Sequence, residues 1–252
     1  NNCNISYFSE QIFRKNLRNK SLNIIFENLK IHKLLKKQLI ITKDGSHSFF
    51  VPELSETYHS KHGAITEAKH VFIKNGLLAA NKNKVNILEV GFGTGLNALL
   101  TMQKVKQQNL NVFYNSLEPH PLEKQEYIKL NFAVLLNCPQ EDFINLHKSE
   151  WGKEIKLSEN FTLYKTEESV RNFKTEKKFD IIYFDAFAPE KQPEMWGNIV
   201  FEKMHGLLKE NGFLVTYCAK GVVKRTLKSV RFEVESLEGP PGKREMIRAN
   251  KK

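Results

Sequence analysis

The chain has 252 residues, of which 40% are apolar and 27% are charged, so it can bury a sizeable core without disulfides or metal. Its cysteines, Cys3, Cys138 and Cys218, are odd in number and widely spaced. This spacing argues against a disulfide framework or a cysteine zinc site and favours a reducing cytoplasm. No stretch approaches the roughly 18 consecutive apolar residues of a membrane span, so we expect no membrane partner.

The net charge of +11 is concentrated at the two ends of the chain. Residues 1–84 carry +8 and residues 219–252 carry +6, whereas residues 85–218 carry −3. A chain that holds a polyanion by its ends while its middle does the chemistry would need this distribution. A surface that is merely solvated by lysine is the alternative, and charge alone does not decide between them.

Residues 1–84 predict a basic N-terminal extension and cap before the main domain. Loose helical periodicity covers residues 9–30, with lysine and arginine between the apolar positions. Residues 39–42 and 48–51 are mainly apolar and flank an Asp-Gly turn, which predicts a β-hairpin. Residues 64–80 carry apolar side chains at helical spacing, so we expect an amphipathic helix there.

Residues 85–252 predict an α/β domain in which strands and helices alternate. Strands are expected at residues 85–90, 112–117, 161–164, 179–184 and 212–217. Helices are expected between them, at residues 95–108, 121–135, 167–174 and 194–209. Because parallel neighbours need crossover connections, this alternation predicts a doubly wound, mainly parallel, Rossmann-like sheet. A helix at 221–230 and a hairpin of strands at 231–237 and 244–249 follow, so the last strand should run antiparallel.

A glycine-rich loop ends the first strand of this domain and begins a helix. Gly91, Gly93 and Gly95 let the backbone approach a ligand at a helix N-terminus, where amides favour polar or anionic groups. The dinucleotide fingerprint needs a glycine where Leu96 stands. Gly-x-Gly-x-Gly behind Glu89 is instead typical of methyltransferases that bind S-adenosylmethionine, with the acid near the amino-acid end of that cofactor. A tight turn without a ligand is the alternative.

Two more acidic residues follow the next strands at the same predicted edge of the sheet. Glu118 comes just over twenty residues after the loop, where a carboxylate can accept both ribose hydroxyls. Glu167 follows the third strand and is placed to accept from an adenine amino group. For Glu167 the alternative is an acid that favours the dipole of a helix start. With Glu89, these residues place the cofactor along the carboxyl edge of the sheet.

Asp185 follows the fourth strand, beside the predicted cofactor, where a methyl acceptor would lie. In the stiff segment after it, Phe187 and Trp196 are candidates to wall a flat base or exclude water, although Trp196 would equally suit the core. A carboxylate suits an amine acceptor because it can orient an ammonium and accept its proton. It would also raise the pKa of that amine, so positioning should carry much of the rate. This chemistry requires no metal.

Four sequence motifs carry a resemblance to a known family. They are Gly-Phe-Gly-Thr-Gly-Leu-Asn at 91–97, Asp-Ala-Phe-Ala-Pro-x-Lys-x-Pro-Glu-Met-Trp at 185–196, Gly-Lys-Arg-Glu-Met at 242–246, and a Gly…Glu…Val-Phe run of Gly63, Glu67, Val71 and Phe72. By these motifs the chain resembles the methyltransferase domain of the bacterial tRNA 5-methylaminomethyl-2-thiouridine biosynthesis proteins (MnmC type), in the stand-alone MnmD-like form. The resemblance covers residues 42–249 and implies a class I S-adenosylmethionine-dependent methyltransferase fold.

The resemblance implies methyl transfer from S-adenosylmethionine to the aminomethyl group of the tRNA wobble uridine, with Asp185 contacting that amine. Bifunctional members carry an oxidase module after this domain; the chain ends at Lys252, so we expect it to act on uridine that already bears a free aminomethyl group. The residues expected to bind the cofactor are Glu67, Glu89, Gly91, Phe92, Gly93, Thr94, Gly95, Asn97, Glu118, Pro119, Thr166 and Glu167. Those expected to contact substrate or tRNA are His59, Ser60, Phe187, Pro189, Met195, Trp196, Lys220, Lys224, Arg225, Lys243 and Arg244.

Several assignments stay open at this level. His59 and His62 invite a metal interpretation, but a histidine pair without further ligands is weak, so we expect no metal and place His59 and Ser60 at the mouth of the site. The basic residues 1–40 either help to grip tRNA or form a solvated cap. A small-amine transferase of the polyamine-synthase type is the alternative function, and a non-catalytic RNA-binding module is a third. We favour a monomer.

Overall fold

The computed structural model describes residues 36–252, so the helix predicted at 9–30 lies outside the described residues. Residues Lys37–Lys252 form one compact unit. This unit holds both the hairpin region and the α/β sheet, and the division at residue 84 stays a prediction.

A small antiparallel sheet precedes the main one. Its strands, in the order β1-β2-β3, are β1 (Gln38–Ile41), β2 (His47–Val51) and β3 (Glu56–Thr57). The predicted hairpin is confirmed, since Gln38 pairs with Phe50 and Ile41 with His47. The Asp-Gly turn at its tip leads the chain straight back along β1.

The predicted helix at residues 64–80 is confirmed, but its hydrogen bonding changes along its length. It begins as α1 (Ala64–Ala68), continues as a π-helix over Lys69–Leu77 and ends in a 3₁₀ turn at Leu78–Ala80. Asp44 in the hairpin turn caps its start, because the Thr66 amide donates to the Asp44 carboxylate at 2.9 Å. The helix buries its apolar face against the main sheet.

The main sheet has eight strands in the order β6-β7-β5-β4-β8-β9-β11-β10. They are β4 (Lys84–Val90), β5 (Asn111–Leu117), β6 (Glu154–Ser158), β7 (Phe161–Thr166), β8 (Phe179–Phe184), β9 (Leu208–Thr216), β10 (Glu233–Glu238) and β11 (Glu245–Asn250). The central strands β7, β5, β4, β8 and β9 are parallel. β11 pairs antiparallel with both β9 and β10, so the predicted closing hairpin is confirmed.

Helices cover both faces of this sheet, and a hydrophobic core lies on each face. They are α2 (Leu96–Gln108), α3 (Lys124–Tyr127), α4 (Phe132–Leu135), α5 (Gln140–Lys148), α6 (Asn198–Leu207) and α7 (Gly221–Ser229). The doubly wound, Rossmann-like prediction is therefore confirmed. Its strand order reverses beside β4, and ligands of open α/β sheets bind at such a point.

Some predicted elements were wrong in detail. The helix expected at 121–135 is two short helices, α3 and α4, because the chain turns between them. The helix expected at 167–174 is absent from the described structure; these residues form turns with Val170 and Phe173 as their only buried apolar anchors. The sequence interpretation also missed α5 and the antiparallel edge strand β6.

Candidate active site

The glycine-rich loop between β4 and α2 has left-handed backbone conformations, which favour glycine. Gly91, Gly93 and Gly95 have φ angles of +93°, +48° and +74°. A Cβ atom on Gly91 would lie 2.6 Å from the backbone oxygen of Asp185. The loop therefore passes in direct contact with the residue that follows β8, as the predicted convergence at the carboxyl edge requires.

Glu89 lies near the end of β4 and is fully buried. The Ser116 hydroxyl donates to its Oε2 at 2.6 Å, while Oε1 has no hydrogen-bond partner among the described residues. Burial raises the pKa of Glu89 to about 8. A buried carboxyl oxygen without a donor fits a ligand that brings a cationic amino group, as the amino-acid end of S-adenosylmethionine does, because that charge would favour the ionised form of Glu89.

Glu118 lies after β5, beside the same loop. Its two oxygens accept from the backbone amides of Gly93 and His120, each at 2.8 Å. Burial raises the pKa of Glu118, and these two amides oppose that effect. The carboxylate is thereby fixed against the glycine loop, with lone pairs left for ribose hydroxyls. Pro119, next to it, is half-buried.

The two residues predicted to contact the cofactor after the third strand, Thr166 and Glu167, have different surroundings. Thr166, at the end of β7, is buried, and its carbonyl accepts from the Glu118 amide at 3.0 Å. Glu167 is exposed. The structure thus brings Thr166 to the Glu118 side of the loop and leaves the Glu167 side chain in solvent.

Asp185 lies at the carboxyl end of β8 and is half-buried. Asn97, in the first turn of α2, donates to its Oδ2 at 2.9 Å. Burial raises the pKa of Asp185 to about 7; the Asn97 hydrogen bond lowers it, the charge of Glu67 raises it and that of Lys243 lowers it. A carboxyl group that titrates near neutral pH can exchange a proton with an amine under working conditions.

Side chains hold the backbone after Asp185 in place. Trp196 is buried, and its Nε1 donates to the Phe187 carbonyl at 2.8 Å. It therefore belongs to the core and also holds this loop in place. Tyr217 donates to the Ala186 carbonyl at 2.9 Å. The Phe187 ring meets Tyr58 edge-on at 5.2 Å. The predicted loop residues Pro189 and Met195 are half-buried.

His59 connects the small sheet to the glycine loop. Its Nδ1 hydrogen-bonds the Ser48 hydroxyl at 2.9 Å and its Nε2 the Thr94 hydroxyl at 3.1 Å. Burial lowers the pKa of His59 to about 4, so the ring is neutral at pH 7. The Ser60 amide donates to Glu67 Oε1 at 3.2 Å. Across residues 36–252, no group of three or more His, Cys, Asp or Glu side chains is arranged to hold a metal ion.

The five basic residues predicted to contact phosphate differ in their surroundings. Lys220 pairs with Glu190, Lys224 with Glu245 and Lys243 with Glu67. Arg225 and Arg244 are exposed. To contact a phosphate, each paired lysine would have to leave its glutamate partner or bind both groups together. The two arginines are exposed to solvent.

A buried cluster behind the glycine loop escaped the sequence interpretation. Lys165 is fully buried, and its Nζ donates to the carbonyls of Leu146 and His147 at 2.7 and 2.9 Å, at the end of α5. The His147 Nε2 hydrogen-bonds the Thr94 carbonyl at 3.1 Å. This cluster supports the loop from below, with Phe92 edge-on against His147 at 5.2 Å. The C-terminal end of a helix such as α5 favours a cation, but the sequence does not show that Lys165, in β7, lies against that end.

Comparisons with known proteins agree with this geometry. A family model described as S-adenosyl-L-methionine-dependent methyltransferase matches residues 140–252. The tRNA 5-methylaminomethyl-2-thiouridine biosynthesis bifunctional protein MnmC of Marinomonas sp. (strain MWYL1) is 31% identical over 212 residues, which cover 77% of this chain and 31% of that protein. The MnmC protein of Cupriavidus metallidurans is 30% identical over 224 residues, covering 82% of this chain and 33% of that protein.

A solved structure matches the fold over nearly the whole chain. The crystal structure of MnmC2 from Aquifex aeolicus superposes with a TM-score of 0.69 at 23% identity, covering 96% of this chain and 83% of that chain. The predicted resemblance, the S-adenosylmethionine-dependent methyltransferase assignment and the cofactor are confirmed, and the polyamine-synthase alternative is not favoured. The chain spans about a third of the length of the curated relatives named above. No helix within residues 36–252 is long and apolar enough to cross a bilayer.

Proposed function

We propose that this chain, an S-adenosylmethionine-dependent methyltransferase similar to the methyltransferase part of MnmC, methylates the aminomethyl group of 5-aminomethyl-(2-thio)uridine at the tRNA wobble position. The observation that carries the proposal is the 2.9 Å hydrogen bond from Asn97 to Asp185. It joins the first turn after the glycine loop to an acid at the end of the neighbouring strand. Methyl donor and amine acceptor would therefore meet at one carboxyl edge of the sheet.

The residues around the glycine loop would hold the cofactor. The unpartnered Glu89 Oε1 and the fixed Glu118 carboxylate offer acceptors at separate points along the sheet edge, and the glycine backbone leaves room between them. Bound S-adenosylmethionine supplies an electrophilic methyl group. The chain's own residues orient the acceptor, exclude water from it and accept its proton.

Asp185 is the residue we assign to the acceptor amine. Only the neutral amine has the lone pair needed for attack, so the ammonium must give up a proton, and an ionised Asp185 within reach is the group that takes it. Because burial brings the pKa of Asp185 to about 7, both of its protonation states are populated at neutral pH. The carbonyls of Ala186 and Phe187 are held by Tyr217 and Trp196, so the carboxylate stays fixed while the amine enters.

The basic ends of the chain support a tRNA partner. The exposed Arg225 and Arg244 are the first candidates for phosphate contacts, because their guanidinium groups match phosphate geometry. We assign the reaction to the cytoplasm and the active species to a monomer. Size-exclusion chromatography with light scattering, giving a mass near 29.3 kDa for this chain, is the check on the monomer.

In the test, the purified protein is incubated with isotope-labelled S-adenosylmethionine and tRNA from cells that lack the enzyme. The nucleosides are then analysed by mass spectrometry. We expect aminomethyluridine to become methylaminomethyluridine with the label in the new methyl group. Binding of the cofactor without methylation of tRNA would contradict the proposed substrate.

An Asp185→Asn variant separates catalysis from binding. Asparagine preserves the size of the side chain but cannot accept the proton of the amine. We expect cofactor and tRNA affinity near those of the wild type and a rate lower by about 10²–10⁴-fold, the usual contribution of a general base. A variant that methylated at the wild-type rate would remove Asp185 from the mechanism.

A further inference from the structure

Three elements that are distant in sequence meet beside Asp185. Glu67 comes from α1, Tyr217 follows β9, and Lys243 lies in the turn between β10 and β11. The Lys243 Nζ lies 2.5 Å from Glu67 Oε2 and 3.9 Å from the centre of the Tyr217 ring. Tyr217 in turn donates to the Ala186 carbonyl at 2.9 Å. A single ammonium is thus held in place next to the proposed acceptor site by an ion pair and a cation–π contact.

The burial of its partner distinguishes Lys243 from Lys220 and Lys224. Glu67 is 8% exposed, and Lys243 is partly covered, whereas the Lys220–Glu190 pair is exposed on both sides. Glu67 is held further by the Ser60 amide, which donates to its other oxygen at 3.2 Å. Charges in such a place are poorly screened and act strongly on a neighbouring carboxyl group.

The two members of the pair act on Asp185 in opposite directions. The negative charge of Glu67 raises the pKa of Asp185, and the positive charge of Lys243 lowers it. Other titratable groups that face Asp185 are Glu89, Tyr114 and Tyr217. Burial raises the pKa of all three, so they are mainly uncharged at pH 7 and leave the balance to Glu67 and Lys243.

We propose that Lys243, fixed by Glu67 and Tyr217, is a positioning residue that offsets the charge of Glu67 beside Asp185, so that a fraction of Asp185 stays ionised at neutral pH and can accept a hydrogen bond and a proton from the acceptor amine. This inference rests on the proposed function. Without Lys243, the uncompensated charge of Glu67 would favour the protonated form of Asp185, and a protonated carboxyl group cannot accept the proton of the amine. A contact with tRNA phosphate, the other role for this lysine, would leave Asp185 unaffected.

The experiment compares Lys243→Gln with Glu67→Gln. Both substitutions break the ion pair, but they remove charges of opposite sign, so a purely structural role and an electrostatic role give different results. Gln at position 67 still offers an oxygen to the Ser60 amide. Lys106→Gln in α2, which removes an ion pair with Asp142, is the matched control. Lys243→Arg keeps the charge and is the rescue variant.

Two measurements are made on each variant. The first is the titration of the Asp185 carboxyl carbon by ¹³C NMR in the protein without tRNA, assigned by its loss in Asp185→Asn. The second is the pH dependence of kcat/KM on aminomethyl-tRNA. Lys243→Gln should raise the titration midpoint and the acidic limb of the profile by about one pH unit, which is about a tenfold loss of rate below that limb. Glu67→Gln should lower both, Lys243→Arg should return both towards the wild-type values, and Lys106→Gln should leave both unchanged.

Shifts of the same sign in Lys243→Gln and Glu67→Gln would overturn the inference and leave the pair as a structural latch. A pH-independent rise in KM with altered salt dependence would overturn it in favour of phosphate binding. If the wild type methylates no tRNA, the proposed function fails, but the carboxyl titration still decides whether Lys243 controls the charge on Asp185.

Discussion

Gly91 joins the cofactor loop to the acceptor loop, and a single methyl group there should disturb both. Its φ angle of +93° lies where side chains with a Cβ atom are rarely found, and the added Cβ would lie 2.6 Å from the Asp185 backbone oxygen. Gly93 offers a matched comparison in the same loop. Its φ angle is +48°, and the nearest atom to an added Cβ is Cδ1 of the Tyr58 ring, at an ordinary 3.4 Å.

The expected costs follow from these contacts. Gly93→Ala should lower the free energy of unfolding only by the backbone strain of a left-handed residue, about 1–2 kcal/mol. Gly91→Ala should lower the free energy of unfolding by the same strain and by about 1–3 kcal/mol more, because its methyl group is packed against a backbone atom that cannot rotate away. We therefore expect Gly91→Ala to be the less stable variant by about 1–3 kcal/mol.

Urea denaturation with linear extrapolation measures the two free energies of unfolding, and calorimetry measures S-adenosylmethionine affinity for each variant. Gly91→Ala should also weaken cofactor binding and slow methyl transfer, because relief of the contact must displace the loop or Asp185. Equal stability of the two alanine variants would refute the argument, since it would mean that the Asp185 backbone gives way at no cost.

Three further substitutions test other contacts of the site. Asn97→Ala removes a hydrogen bond that lowers the pKa of Asp185, so the acidic limb of the pH–rate profile should move above its wild-type position near pH 7. Trp196→Phe leaves the Phe187 carbonyl without its donor and should cost about 1–3 kcal/mol in urea denaturation. Lys165→Met addresses a lysine whose pKa burial lowers to about 7. Between that value and roughly 10.4 the unfolded chain binds more protons, so wild-type stability should rise with pH, by up to about 1.4 kcal/mol per unit. The methionine variant should show a flatter dependence in that window.

The sheet could be predicted because its signals are local. A run such as Phe179–Phe184, six buried residues in a row, is typical of a central parallel strand, and a glycine loop marks the crossover after β4. The missed helix α5 also carried a local signal, with Glu141 and Asp142 in its first turn and basic residues in its last. The helix wrongly expected at 167–174 had acids at its start but too few apolar residues to bury a face.

The contacts between distant segments could not be predicted in the same way. The carboxyl-edge rule brings Asp185 to the glycine loop, since strands β4 and β8 are neighbours whose ends coincide. No such rule relates Glu67 to Lys243, which are separated by 176 positions and meet through the packing of α1 against the β10–β11 turn. The same is true of Lys165, whose partners are carbonyl groups that every residue carries.

Two aspartates of β8 and its end show why residue type alone does not identify a catalytic acid. Asp180 lies at the amino end of the strand, where burial alone would raise its pKa, but a backbone amide and the ammonium groups of Lys209 and Lys82, each at 2.7 Å, lower it. Asp185 lies at the other end, where burial and then the charge of Glu67 raise its pKa more than the Asn97 amide and Lys243 lower it. Asp180 therefore stays ionised and contributes stability that is lost as the pH falls through its lowered pKa. Asp185 retains the capacity to take up and release a proton near pH 7, because the one lysine near it among the described residues, Lys243, is offset by Glu67, whereas both Lys82 and Lys209 act on Asp180.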